Sequence, residues 1–143
     1  MESRARTAWK GDLVSGSGST VLASGAAGPL EVTWSSRTEA PAGRTSPEEL
    51  IAAAHASCYS MAFSHGLASD GTPPESVDTE ATVTFAQTDD GFRVTKSALV
   101  VRATVPGISE EAFQAAAAAA KDGCPVSQAL KGNVEITLEA TLV

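Results

Sequence analysis

Ser46-Pro47-Glu48-Glu49-Leu50-Ile51-Ala52-Ala53-Ala54-His55-Ala56-Ser57-Cys58-Tyr59-Ser60-Met61-Ala62-Phe63 is the stretch on which the fold turns. Ser46 offers a side-chain oxygen at a helix N-cap, and Pro47 suits the first helical position. Glu49 stands where a carboxylate closes a capping box. A largely apolar run follows, broken only by His55, Ser57 and Ser60. Apolar residues therefore fall on nearly every side, the pattern of a helix buried all round. It ends near Ser69, because Asp70-Gly71-Thr72-Pro73-Pro74 cannot continue a helix. This is the central helix of the domain.

On its N-terminal side, Ala5 to Trp9, Thr20 to Ala23 and Leu30 to Trp34 carry strand-forming residues, punctuated by Gly11, Gly16, Gly18, Gly25 and Gly28. Gly16-Ser17-Gly18 reads as a turn; the Lys-Ser/Thr pair of a phosphate loop does not follow it. On the C-terminal side, Val77, Thr79, Ala81, Val83 and Phe85 alternate with polar residues. That period of two marks a half-buried strand. Asp89-Asp90-Gly91 turns the chain into a second arm, Phe92 to Val105. Ser109 caps a second helix, which Gly123 ends; Cys124-Pro125 opens a further short turn, stopped by Gly132. A last strand alternates Val134, Ile136, Leu138 and Leu142 with polar residues. The order β-β-β-α-β-β-α-β lacks regular βαβ alternation, which predicts an α+β fold with mostly antiparallel sheet.

At 143 residues the chain fits a single domain spanning 1–143. Hydrophobic residues at 43% and charged residues at 19% suit a globular core. A formal charge of −7 disfavours nucleic acid, whose phosphates call for clustered Lys and Arg, and an anionic membrane surface. Met1 to Asp12 is polar and lacks the apolar run of a signal peptide. A cytoplasmic location is expected. In that reducing compartment two cysteines are either inert core residues or a working redox pair.

Cys58 lies well inside the central helix, far from the helix N-terminus, and alone reads as a buried structural thiol. Cys124, between Gly123 and Pro125, sits at a helix start, where backbone N–H groups favour a thiolate. Local physics thus makes Cys124 the more acidic. His55, three residues before Cys58, invites a Cys–His nucleophile, against the plainer reading of a histidine tucked against the core. The two cysteines with His55 and His65 lack the paired spacing of a zinc site, so no metal or other cofactor is expected. Glu48 suits the helix dipole, and Arg37 alone is an ordinary surface cation. Glu48 and Cys58 point about 80° apart and stand about 15 Å apart along one helix, too far to touch directly.

The combination Thr45-Ser46-Pro47-Glu48-Glu49-Leu50-Ile51-Ala52-Ala53-Ala54-His55-Ala56-Ser57-Cys58 with Gly123-Cys124-Pro125-Val126-Ser127 resembles the OsmC/Ohr family. That family comprises osmotically inducible protein C and the organic hydroperoxide resistance proteins. Trp9-Lys10-Gly11-Asp12 and Val105-Pro106-Gly107-Ile108 extend the likeness over nearly the whole chain, on the OsmC side of the family. The resemblance implies an OsmC-like fold in an intertwined homodimer with active sites at the subunit interface. It implies a thiol-dependent peroxidase that reduces organic hydroperoxides, and hydrogen peroxide more slowly, in oxidative or osmotic stress. By family pattern Cys58 is the peroxidatic cysteine, which reverses the dipole argument, and Cys124 the resolving one that closes a disulfide with it. The active-site arginine maps to Arg37, with Arg44 the other candidate because Thr38 to Gly43 carries a small insertion. The carboxylate partner of the arginine maps to Glu48. A lipoyl-type dithiol is the implied reductant. Tyr59, Met61 and Phe63 are candidates for an apolar pocket. Two readings from other classes remain, a non-enzymatic redox sensor and a structural dimer whose cysteines merely pack.

Overall fold

A computed structural model describes residues 1–39 and 42–143. The insertion expected within Thr38 to Gly43 therefore falls in part outside the described residues. The chain divides into two compact units, Met1–Leu50 and Ile51–Val143.

The first unit is a three-stranded antiparallel sheet in the order β1-β2-β3, from β1 (Ala5–Lys10), β2 (Ser17–Leu22) and β3 (Leu30–Thr33). Two sequence expectations change here. The turn ends at Gly16, whose N–H donates to the Asp12 carbonyl, so Ser17 and Gly18 already belong to β2. Gly18 is paired with Trp9, and a Cβ there would stand 2.8 Å from the Trp9 ring and 3.0 Å from Val32. That close approach is why the strand carries a glycine. Trp34, expected to end a strand, instead opens a short helix, α1 (Trp34–Thr38). The Thr33 hydroxyl accepts the Ser36 N–H at 3.1 Å, and the Ser36 hydroxyl accepts the Thr33 N–H at 2.9 Å. This reciprocal cap turns the chain out of the sheet.

After α1 the chain returns to β3. Thr45 bridges Val32 in parallel register and donates its N–H to the Glu31 carbonyl at 3.0 Å. Helix α2 (Pro47–Ser69) starts there. Ser46 caps it by accepting the Glu49 N–H at 3.1 Å, and the Glu49 carboxylate accepts the Thr45 hydroxyl.

The second unit holds a three-stranded sheet, β4-β5-β6, most of α2 and two further helices. Strands β4 (Ser76–Thr88) and β5 (Gly91–Thr104) form the expected antiparallel hairpin, in which Phe85 stacks on Phe92. Strand β6 (Glu135–Leu142) departs from the antiparallel expectation and runs parallel to β5, Leu99 facing Leu138. The cause is the connection: α3 (Glu110–Gly123) and α4 (Pro125–Leu130) form a helical crossover, which delivers the chain back in the same direction. The core gathers three periodicities. His55, Tyr59, Phe63 and Leu67 recur every four residues on α2; Ser97, Leu99, Val101 and Ala103 alternate on β5; Phe113, Ala117 and Ala120 line α3. Helix α2 is thus covered along one stripe in the single chain, and Met61 opposite remains 66% exposed.

Candidate active site

Cys58 and Cys124 both belong to the second unit, and their side chains adjoin closely enough for the Cys124 thiol to act on the titration of Cys58. Both are free thiols, Cys124 fully buried and Cys58 partly so. Cys124 is the joint between two helices. Its N–H donates to the Ala120 carbonyl at 2.9 Å, closing α3, and its own carbonyl accepts the Gln128 N–H at 3.0 Å, opening α4. Pro125 follows at the first helical position. The backbone of this cysteine is therefore held from both sides.

The N-terminus of α4 serves the other cysteine. The Val126 N–H is directed at the Cys58 sulfur and draws its pKa down. Burial acts in the opposite sense and more strongly, and the adjoining Cys124 thiol adds to it, so the Cys58 thiol is held above its ordinary value. Sequence reasoning gave the benefit of the helix start to Cys124. The short α4 folds back so that its first free N–H faces Cys58 across the joint.

His55 does not form a Cys–His pair. Its Nδ1 lies 2.7 Å from the Ser97 hydroxyl on β5 and its Nε2 lies 2.8 Å from the Ser127 hydroxyl on α4. Both ring nitrogens are thus engaged, in full burial, and burial lowers the pKa of the ring. Tyr59 and Phe63 are not pocket residues either: both are fully buried, Tyr59 donating its hydroxyl to the Ala117 carbonyl at 3.1 Å and Phe63 meeting Phe113 edge-on. Met61, on the other side of α2, is exposed.

In the first unit, Arg37 and Glu48 form a forked ion pair. The guanidinium donates from Nη2 to Oε1 at 2.6 Å and from Nε to both carboxylate oxygens at 3.2 Å. The Glu48 side chain is 8% exposed and that of Arg37 is 27% exposed. Helix α1 presents Arg37, and the bridge at Thr45 brings the start of α2 back to meet it. The guanidinium also lies 5.7 Å from the centroid of the Trp34 ring. Arg44, by contrast, makes a loose surface pair with Glu31 at 3.8 Å. Beside Arg37 is a cavity of about 340 Å³ walled by Trp9, Leu13, Val32, Trp34 and Leu50. Sequence reasoning does not find these walls; the one signal for them is Trp9, in the Trp9-Lys10-Gly11-Asp12 motif.

The class so defined is an α+β protein with two adjoining free thiols and, separately, an arginine fixed by a buried carboxylate. The family model for OsmC-like proteins matches residues 40–139. The chain is 45% identical to Peroxiredoxin OsmC of Escherichia coli (strain K12) over 134 residues, 94% of this chain and 92% of that one. It is 33% identical over 95 residues to an organic hydroperoxide resistance protein of Xanthomonas axonopodis pv. citri, covering 66% of this chain and 65% of that one. Among solved structures, the organic hydroperoxide resistance protein OhrB of Bacillus subtilis superposes with a TM-score of 0.74 at 25% identity, over 96% of this chain and 98% of that one. An OsmC protein from Legionella pneumophila gives 0.76, also at 25% identity, over 99% and 98%. The chain belongs to the OsmC family. It is a peroxidase-type enzyme of that family. Among the described residues no helix is long and apolar enough to cross a membrane.

Proposed function

We propose that this chain is a thiol-dependent peroxidase that reduces organic hydroperoxides, and hydrogen peroxide more slowly, acting in the cytoplasm in oxidative or osmotic stress. In this reading residues 1–143 act as one domain within an intertwined homodimer. The observation that carries it is the adjoining pair of free thiols, Cys58 and Cys124, with the Val126 N–H facing Cys58.

The Cys58 thiolate attacks the nearer peroxide oxygen. An S–O bond forms, the O–O bond breaks, and the departing alkoxide takes a proton to leave as alcohol. The Cys58 sulfenic acid then condenses with the Cys124 thiol, giving the Cys58–Cys124 disulfide and one water. A lipoyl-type dithiol supplies the two electrons that return both thiols. The cysteine that sits partly open is suited to meet peroxide, and the fully buried one to wait for the sulfenic acid.

Thiolate formation alone is a weak lever. A free cysteine with pKa near 8.5 is about 3% ionised at pH 7, so complete ionisation gains at most ~30-fold. Lower basicity returns part of that gain, because it weakens the nucleophile. The burial that raises the Cys58 pKa makes a cation more necessary. Arg37 is the residue we assign to that role, donating hydrogen bonds to the peroxide as charge builds on the leaving oxygen. Glu48 holds its guanidinium in a fork that lysine does not reproduce. The apolar cavity beside Arg37 suits an alkyl peroxide better than hydrogen peroxide.

The test is peroxide consumption with dihydrolipoamide as electron donor, comparing cumene hydroperoxide with hydrogen peroxide on wild type and Cys58→Ser. Turnover that prefers the organic peroxide and vanishes in the variant supports the proposal. Oxidation without turnover would favour the redox sensor, and no oxidation of either cysteine the structural dimer.

A further inference from the structure

Among the polar groups that the proposed chemistry leaves unused, the buried cluster His55, Ser97 and Ser127 has the most consequence for the site. Each member comes from a different element: α2, β5 and α4. All three side chains are buried, at 0%, 0% and 4% exposure. A neutral imidazole has one N–H donor and one acceptor nitrogen, so one serine donates to it and the other accepts from it. Leaving either nitrogen unpaired in that core would cost the full desolvation of a polar group. The cluster therefore acts as a clasp that fixes α4 against the sheet and the central helix.

The position of Ser127 gives the clasp its leverage. It is the residue after Val126 and three after Cys124, in a helix of only six residues that makes few backbone bonds of its own. Its hydroxyl is 2.8 Å from the ring of His55, three residues before Cys58 on α2. One turn of α2 thus carries both the sulfur and the anchor of the segment that faces it. We propose that His55, through Ser127, is a positioning residue that holds the Val126 N–H and the Cys124 thiol against Cys58, and so sets both the reactivity of Cys58 and the rate at which the two cysteines join. The second half rests on the peroxidase reading, since it needs the Cys58 sulfenic acid that condenses with the Cys124 thiol and releases water. The first half does not.

The test is Ser127→Ala, read in two ways. The pH profile of Cys58 alkylation by iodoacetamide reports how well the thiolate is held. Losing that N–H moves its midpoint upward by about one pH unit, a roughly tenfold slower reaction at neutral pH. Disulfide formation after one equivalent of cumene hydroperoxide, followed by quenching and non-reducing peptide mapping, slows by about the same factor as α4 loosens. His55→Gln, whose amide reaches one serine at a time, lies between the variant and wild type. It also decides the matter should Ser127→Ala fold poorly. Thr79→Val is the control. It deletes a hydroxyl of the same kind, one that accepts from Ser60 at 2.8 Å and joins α2 to β4, not to α4. It is expected to lower stability and leave the alkylation profile in place. Alkylation profiles and disulfide rates equal to wild type in Ser127→Ala and His55→Gln would overturn the proposal. If peroxide failed to oxidise wild-type Cys58, the peroxidase reading would fall, and the alkylation arm would still decide the clasp.

Discussion

His55 shows how one buried side chain ties stability to acidity. Burial lowers its pKa below 6.5, so the folded protein resists the proton that the unfolded chain accepts. Stability is therefore full above 6.5 and declines as pH falls through the window between the unfolded and folded values. Urea denaturation from pH 8 down to pH 5 is expected to show that decline, and His55→Gln is expected to flatten it. A decline of equal slope in the variant would locate the proton elsewhere. Arg37 allows a second prediction at this scale. Arg37→Lys keeps the charge and loses the fork, so peroxide turnover is expected to fall on the order of a hundredfold with thermal stability little changed. Glu48→Gln is expected to act in the same direction, by releasing the guanidinium. The sequence told the type of these residues and not their company. Ser97 and Ser127 sit 42 and 72 residues from His55, separations at which no local pattern speaks.

At the scale of elements, legibility followed period and length. The central helix is legible from Pro47 to near Ser69, since its cap, its proline and its stop signal are all local. The β4–β5 hairpin was equally plain from alternation and Asp-Gly. Helix α1 was missed because Val32-Thr33-Trp34 is a strand-like run, and the reciprocal cap between Thr33 and Ser36 outweighs that propensity. The direction of β6 was missed because pairing is set by the path through α3 and α4, which alternation does not encode. The cap at α1 can be tested. Thr33→Ala is expected to cost about 1 kcal/mol in chemical denaturation. It is also expected to lower peroxide turnover, because α1 presents Arg37. Lost stability with unchanged turnover would separate the helix from the chemistry.

For the whole molecule, what stays exposed matters as much as what is covered. Strand β1 is exposed along its length, and Leu13, Val14, Val21 and Met61 lie open at 56%, 77%, 44% and 66%. A sequence pattern of a helix apolar on all sides and a structure that covers one stripe of it together fit a second copy of the chain, as the family resemblance implies. Light scattering is expected to give twice the chain mass, and Met61→Glu is expected to shift the equilibrium toward monomer. A monomer in wild type would remove the homodimer from the account. The assignment of Cys58 rather than Cys124 as the attacking thiol is what the family resemblance implies, whereas local dipole reasoning favours Cys124. In the structure α4 starts at Cys124, and its Val126 N–H faces Cys58. The most direct test of the central claim is peptide mapping of the reduced protein after one equivalent of cumene hydroperoxide. The account predicts a Cys58–Cys124 disulfide within seconds, and a sulfenic acid trapped on Cys58 by dimedone in Cys124→Ser. Peroxide consumed with Cys58 still reduced, or a sulfenic acid on Cys124 in Cys58→Ser at the wild-type rate, would contradict it.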